Sequence, residues 1–598
     1  MQIQRIDWII IGAYFAINLG IGIYYRKRAT GSMDDYFVSG RRATWWLAGT
    51  SMVATTFAAD TPLAVTGLVA ANGIAGNWVW WSLAASGMLT VFFYARLWRR
   101  AGVLTDVEFA EIRYSGKPAA FLRGFRALYL GLPVNLIIMG WVNLAMVEIL
   151  QVTLGVSKVD ALVICVIIMA LTAFVSTLSG LWGVLVMDLF QFILKMSMVI
   201  LLAVFSVRGL GGMDVLMEKL AHAQPLQGGK AGGMIDFVPD LNSPWMPLIT
   251  FFVYISVIWW ATWYPGAEPG GGGYVAQRIF SAKDERHSLL ATFWFNLAHY
   301  AVRPWPWIVT ALVAYVHYTG LQDAAFKAKP GSGYIRIMMD PQFFPVYLRG
   351  LMLAGFAAAY MSTIGTQLNW GASYLVNDFY RRFFAKPRSE RHFVILSQLV
   401  TVLLMLLSAL ATLYMHTIEG AWKFLMAIGA GTGSVFILRW YWWRINAWSE
   451  VSAMAASLIT SLCLQGFFKW SSDDPRQMAY MVLVTVAIST LVWLGVTLAT
   501  GPERAETLIA FYRRVRPNRF GWGPVAAQAP DVRPTPDGLF NFFDWLAGCV
   551  LIYMTLFGVG KIIFGETVRG VAFLGVAALA GVWIYRDLSR RGWTTVSE

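Results

Sequence analysis

The sequence predicts an all-α polytopic membrane protein: one leading helix, two blocks of five helices, and about four C-terminal helices. Three observations carry this. Of the 598 residues, 58% are apolar and 13% charged, about half the charged share of an average soluble domain. The apolar residues gather into fifteen runs, many of them long enough to cross a hydrocarbon core of about 30 Å. The basic residues fall in alternate loops, as they do when positive charge is retained on the inner side of a membrane.

The leading run covers about 7–25. Only Arg5 precedes it, no small-residue cleavage site follows, and Arg26-Lys27-Arg28 close it, so it reads as a membrane helix rather than a signal peptide. Five runs follow at about 44–71, 75–98, 122–150, 157–180 and 182–207. A polar stretch rich in Gly and Pro, 208–245, separates them from five more at about 246–276, 287–317, 346–380, 391–416 and 419–443. The last four lie at about 450–470, 478–500, 541–563 and 568–586, with an inner loop over about 501–540. The expected organisation is therefore 1–43, 44–207, 208–245, 246–445 and 446–598. With the N-terminus outside and the C-terminus cytoplasmic, most of the 47 basic residues sit on the inner side, among them Arg99/Arg100, Arg381/Arg382, Arg513/Arg514 and Arg590/Arg591. Five is odd, so the second block enters the membrane opposite to the first. That is the pattern of an inverted repeat with a site near the midplane.

Composition excludes several classes. A soluble enzyme lacks this much apolar run length, and a disulfide scaffold needs more than Cys165, Cys463 and Cys549, all inside apolar runs. The net charge of +14 belongs to loop orientation rather than to nucleic-acid binding. Only one of the six histidines, His299, lies deep in a span, whereas a membrane haem needs paired axial ligands.

The first helix of each block is interrupted. In Thr55-Thr56-Phe57-Ala58-Ala59-Asp60-Thr61-Pro62, the proline is expected to leave the Ala58 carbonyl without its i→i−4 donor and to push Thr61 out of the α region. Freed carbonyls at membrane depth need a partner, and a cation is one; Asp60 beside them is costly to bury. The alternative is a plain proline kink with Asp60 in an ion pair. In the second block, Trp263-Tyr264-Pro265-Gly266-Ala267-Glu268-Pro269, followed by Gly270 to Gly273, cannot continue a helix. Glu268 and Trp263 are expected at a solute pocket, the alternative being a hinge with Glu268 as a cap. Ala359, Ser362, Thr363 and Thr366 recur at i, i+3, i+4 and i+7, and Asn369 and Ser373 continue the stripe. Uncharged oxygens of this kind suit a hard monovalent ion, and they also serve to join helices. Asp188, His299 and Arg303 complete the buried ionisable set. For Arg303 an ion pair or snorkelling is the plainer account, and for His299 a satisfied core position.

At these residues the chain resembles the solute:sodium symporter family, over about residues 5–450. The motifs are Asp35-Tyr36-Phe37-Val38-Ser39-Gly40-Arg41 leading into Trp45 to Ser51, and Ser179-Gly180-Leu181-Trp182-Gly183-Val184 followed by Asp188 and Gln191. Gln277-Arg278 with Ser281-Ala282-Lys283, and Ala359 to Thr363 leading to Asn377-Asp378, complete them. The resemblance implies a leucine-transporter-type fold with a 5+5 inverted repeat. It implies a sodium site at Ala58, Thr61, Ala359, Ser362 and Thr363, and an ion path or second sodium at Asp60, Asp188 and Thr366. One of that second site's two hydroxyl positions is Gly365 here. By position His299 matches a sugar-contacting lysine and Glu268 falls near the inner gate of sugar-type members, but neither residue type is kept.

The expected protein is thus a plasma (inner) membrane symporter that couples sodium to a small polar solute, with a lean to a sugar or polyol. Thr55, Asp60, Trp263, Glu268, His299 and Arg303 are the candidate solute contacts. Its partners are solute, sodium and lipid, with no nucleic acid and no obligate protein partner evident. An amino-acid or organic-acid symporter is the alternative, since Arg303 and Asp60 suit two opposite charges. A transporter-derived sensor, or a channel, is the alternative of another class.

Overall fold

Eleven helices are long and apolar enough to cross a membrane, and the bent pair Trp45–Thr56 and Asp60–Asn72 makes a twelfth, in a computed structural model that describes residues 3–26, 38–384, 389–532 and 537–592. The side chains of 176–180, 390, 391 and 394 are also not described. Asp35-Tyr36-Phe37, Ser179-Gly180 and the cations Lys27, Arg28, Lys386, Arg388, Arg391 and Arg533 therefore lie outside the described residues. Among the described residues no strand occurs, only two isolated bridges.

In chain order, α1 is Arg5–Tyr25, α2 Trp45–Thr56, α3 Asp60–Asn72, α4 Ile74–Ala101 and α5 Gly116–Leu154. Next come α6, Lys158–Leu210, then α7, Leu248–Ala261, and α8, Gly273–Ser281. The second half continues with α9 Glu285–Leu297, α10 Pro304–Gly320, α11 Val346–Arg381 and α12 Glu390–Leu413. It closes with α13 Ile418–Gly429, α14 Gly433–Tyr441, α15 Ala447–Gly466, α16 Pro475–Ala499, α17 Gly538–Ile563 and α18 Thr567–Arg591.

Local chemistry explains where these helices begin. Ser157, Asp284, Thr417, Asn446 and Asp474 each accept a backbone N–H with their side chain at an N-cap, which satisfies a donor the helix itself cannot. Pro475 occupies the first turn of α16, where a missing N–H costs nothing.

The runs at 157–180 and 182–207 lie on one hydrogen-bonded stretch, α6. Thr172 and Gln191 nevertheless line the same cavity, whereas 19 residues of straight helix would separate them by roughly 28 Å. The stretch is therefore not straight between them, and its parts Lys158–Val175 and Leu181–Leu210 are each apolar enough to be a span.

Burial ranks the helices. The apolar window of α11 is 94% buried and that of α18 only 17%. The middle of the bundle is α2 to α5, α9, α10 and α11, while α1, α12 and α15 to α18 turn apolar side chains such as Leu399, Leu491 and Leu579 outward. In a membrane those faces meet lipid, and small residues rather than bulk apolarity let helices approach.

Candidate functional site

The first break differs from the sequence expectation. Helix α2 stops at Thr56 and α3 starts at Asp60, with a 60° bend between them. The expectation that Pro62 frees the Ala58 carbonyl and displaces Thr61 is corrected: Thr61 and Pro62 are helical, in the first turn of α3. A proline there removes no helical bond, and the Ala58 carbonyl takes a long 3.4 Å bond from Thr61 N–H.

Of the carbonyls at the end of α2, Val53 O and Ala54 O share the Phe57 N–H at 3.0 and 3.2 Å, and side chains from three other segments reach these and their neighbours. Arg303 Nη1 is 3.3 Å from Val53 O, Thr363 Oγ1 donates to Thr55 O at 2.8 Å, and Lys195 Nζ donates to Ala54 O at 2.8 Å and Phe57 O at 3.2 Å. The negative end of the α2 dipole thus faces two buried cations and a hydroxyl.

The second break spans the residues between α7 and α8, as its prolines and glycines predict. It is held by a short antiparallel contact with a further break between α13 and α14: Gly431 N–H donates to Ala261 O at 2.8 Å and Trp263 N–H to Gly429 O at 3.2 Å. Ser86 Oγ donates to Ala267 O at 3.0 Å, and Trp98 Nε1 to Gly270 O at 2.7 Å. Gly271, at φ +77°, lies so close that a Cβ would stand 2.9 Å from Trp98 Nε1, and an L side chain would be strained there in any case.

A cavity lies between the two breaks. Its wall includes Thr55, Ala58, Asp60, Thr61, His299, Arg303 and Thr363, all expected from sequence, together with Trp80, Trp141, Tyr264, Tyr300, Gln367 and Trp422. Trp141 and Tyr264 lie nearly parallel, 6.5 Å between centroids, and Trp80 stacks on Tyr300 at 5.9 Å. The π-helical turn Ala298–Val302 presents His299. Arg303 Nη2 is 3.4 Å from His299 Nε2, and His299 Nδ1 is 3.1 Å from Thr56 Oγ1. A guanidinium only donates, so Nε2 accepts and Nδ1 carries the proton.

Among the described residues, five buried polar atoms on this wall have no protein hydrogen-bond partner: Thr55 Oγ1, Asp60 Oδ1, Arg303 Nε, Gln367 Oε1 and Trp422 Nε1. Among the described residues no cation lies within 4.0 Å of the Asp60 carboxylate, so the ion-pair account of Asp60 does not hold in this conformation. Arg303, 2% exposed, is neither snorkelling nor ion-paired; it packs over the rings of Phe57 and Trp307.

Trp263 and Glu268, expected at the solute pocket, lie outside this lining. Trp263 faces a smaller hollow with Arg126, Leu425 and Phe436. Glu268 folds over its own loop, close to Gly272 and Gly273.

A second cavity, on the other side of α11, gathers Asp188, Gln191, Arg278, Ser362 and Thr366. Ser51 Oγ and Ser362 Oγ donate to the two oxygens of Asp188 at 2.5 and 2.7 Å. Arg278 Nη2 reaches Thr366 Oγ1 at 3.2 Å and lies 3.9 Å from Asp188 Oδ2. The pair Asp188 and Thr366, expected to serve a second ion, therefore already holds a guanidinium. The stripe on α11 splits: Thr363 serves the larger cavity, Ser362 and Thr366 the smaller, and Ala359 is buried with its carbonyl 3.2 Å from Thr363 Oγ1.

The aromatic wall residues Trp80, Trp141, Tyr300 and Trp422 escaped the sequence reading, and so did two polar residues. Gln367 is one turn beyond Thr363 on a helix already marked, and Lys195 is a lone lysine inside the apolar run 189–207. That isolation is the signal.

A family model described as "Sodium:solute symporter family" matches residues 36–460. The chain belongs to the sodium:solute symporter family. It is a membrane-embedded, multi-pass, sodium-coupled solute transporter and not an enzyme. It is 25% identical to a sodium/glucose cotransporter of Vibrio parahaemolyticus, over 81% of this chain and 89% of that one. It is 23% identical to a sodium/myo-inositol cotransporter 2 of Sus scrofa, over 77% of this chain and 70% of the other. Its fold is similar to that of a Na+-coupled sialic acid symporter, solved substrate-bound and outward-open, with a TM-score of 0.64 and 19% identity, covering 84% of this chain and 99% of that one.

Proposed function

We propose that this symporter carries a sugar or similar polyol in the larger cavity, driven by sodium bound where α2, α3 and α11 meet. One observation supports the solute class most: Thr55 Oγ1, Asp60 Oδ1, Arg303 Nε, Gln367 Oε1 and Trp422 Nε1 belong to the wall of one cavity without protein partners, and two stacked aromatic pairs share that wall. A buried polar atom left unpaired costs about 1–3 kcal/mol. A polyhydroxyl solute supplies both donors and acceptors to relieve it, and its apolar faces lie flat on Trp and Tyr. The names of the relatives, glucose and myo-inositol cotransporters, support the same class.

Sodium is cargo here, and the oxygens suit it. In this reading Ala58, Thr61 and Ala359 offer carbonyls, and Ser362 and Thr363 offer hydroxyls whose protons already point elsewhere, to Asp188 and to Thr55 O. Their lone pairs stay free for an ion. One sodium charge moved inward gains about 2.3 kcal/mol per 100 mV of membrane potential. We further propose that the two five-helix blocks form an inverted repeat in the inner membrane, with the N-terminus outside and the C-terminus cytoplasmic.

Asp60 and Arg303 on one wall also suit a solute with two opposite charges, such as an amino acid. A thermal-shift screen of the purified protein against sugars, polyols, amino acids and organic acids, with sodium or choline, separates the classes. The proposal expects stabilisation by a sugar or polyol that is larger in sodium; stabilisation by an amino or organic acid alone would replace it.

A further inference from the structure

The end of α2 already carries a cation that belongs to the protein. Lys195 on α6 is 2% exposed, and its ammonium binds Ala54 O and Phe57 O and lies 5.1 Å over the Phe57 ring. Among the described residues no carboxylate lies within 4.0 Å of it. A charged lysine at membrane depth is expensive and finds its partners in backbone carbonyls or acids. Here the partners are the Phe57 carbonyl, just past the end of α2 at Thr56, and the Ala54 carbonyl, which also takes the Phe57 N–H at 3.2 Å.

Phe57 directly precedes Ala58, the first residue of the sodium oxygen set. An ion held by the Ala58 carbonyl and the Lys195 ammonium would therefore sit on the same unwound turn. Two like charges this close, in a site of low effective dielectric, oppose each other strongly. The ammonium also does mechanically what a bound ion would do: it ties the unwound turn to a neighbouring helix.

We infer that Lys195 is a tethered cation that competes with sodium for the first helix break. It braces the break when no ion is bound and lowers the protein's affinity for sodium. Sodium binding then includes displacement of the ammonium from Ala54 O and Phe57 O. The inference rests on the sodium-coupled reading above for where the ion sits, and it gives Lys195 a positioning role.

The test is a sodium titration of the purified full-length protein, followed by tryptophan fluorescence, for wild type, Lys195→Met, Lys195→Gln and Lys195→Arg. Thermal unfolding in choline checks each variant. The inference expects the half-saturating sodium concentration to fall at least tenfold in Lys195→Met and Lys195→Gln and to stay at or above the wild-type value in Lys195→Arg. Solute binding measured in choline should weaken in Lys195→Met, because nothing then braces the break, and recover in Lys195→Arg. Glutamine keeps N–H donors for the same carbonyls without the charge, so it decides the question if methionine does not fold. Unchanged sodium affinity in a folded neutral variant overturns the inference and leaves sodium coupling intact. A wild type that ignores sodium, beside a neutral variant that binds it, supports the inference and overturns sodium coupling of the native protein.

Discussion

Thr363 Oγ1 lies 2.8 Å from the carbonyl oxygen of Thr55, so α11 is joined directly to the last turn of the half-helix that precedes the first break. The same hydroxyl is 3.2 Å from Ala359 O, one turn back on its own helix. An ion coordinated at this junction would touch both helices at once and so fix their relative position.

Thr363→Val keeps the shape of this side chain and removes the hydroxyl. The expected loss is about 1 kcal/mol of packing between the helices and one sodium ligand, seen as a rise of fivefold or more in the sodium concentration that half-saturates uptake. Unchanged sodium dependence would remove Thr363 from the site.

Asp60→Asn keeps the size of the only carboxylate on the wall of the larger cavity but removes its charge. Sodium-stimulated uptake should be lost while expression and the elution profile of the purified protein stay normal. Retained sodium stimulation would reduce Asp60 to a structural residue.

Asp188→Asn strips Arg278 of its nearest acid while leaving it fully buried. Breaking a buried pair from one side costs about 3–5 kcal/mol, so the midpoint of thermal unfolding should fall by several degrees, with uptake below a tenth of wild type. Ser362→Ala leaves that pair in place. It removes the hydrogen bond to Asp188 Oδ1, so it should lose sodium-stimulated uptake with a smaller fall in unfolding temperature than Asp188→Asn.

Gly433→Ala tests the contact between the two later breaks. A Cβ there would stand 2.0 Å from Trp260 O, so α7 and α14 would have to separate. Overpacking of this kind costs about 1–3 kcal/mol, to be read as a lower unfolding temperature, whereas the same change at the exposed Gly466 should be neutral.

Much of this arrangement is legible in the amino-acid sequence, for physical reasons. Apolar run length and the placement of arginines report spans, because the bilayer imposes both. The second break is legible because Pro265, Pro269 and the glycines Gly270 to Gly272 interrupt the helix, which resumes at Gly273. The first break is legible in place but not in cause: Pro62 points to it, yet the unwinding precedes the proline, and the carbonyls that side chains from other helices reach are those of Val53, Ala54, Thr55 and Phe57. Which carbonyl meets Lys195, Arg303 or Thr363 depends on how α6, α10 and α11 are rotated against α2, and a one-dimensional pattern does not encode that. Trp263 and Glu268 show the same gap: their neighbours Tyr264 and Ala267 line the cavity and they do not.

The central claim is that an inward sodium gradient drives a sugar or polyol through this protein. Purified protein in liposomes, supplied with the radiolabelled solute chosen by the thermal-shift screen, tests it most directly. With sodium outside and potassium with valinomycin setting a negative interior, solute should accumulate above its external concentration. Dissipating the sodium gradient should collapse that accumulation. Solute that only equilibrates, at the same rate in sodium and in choline, would contradict the claim.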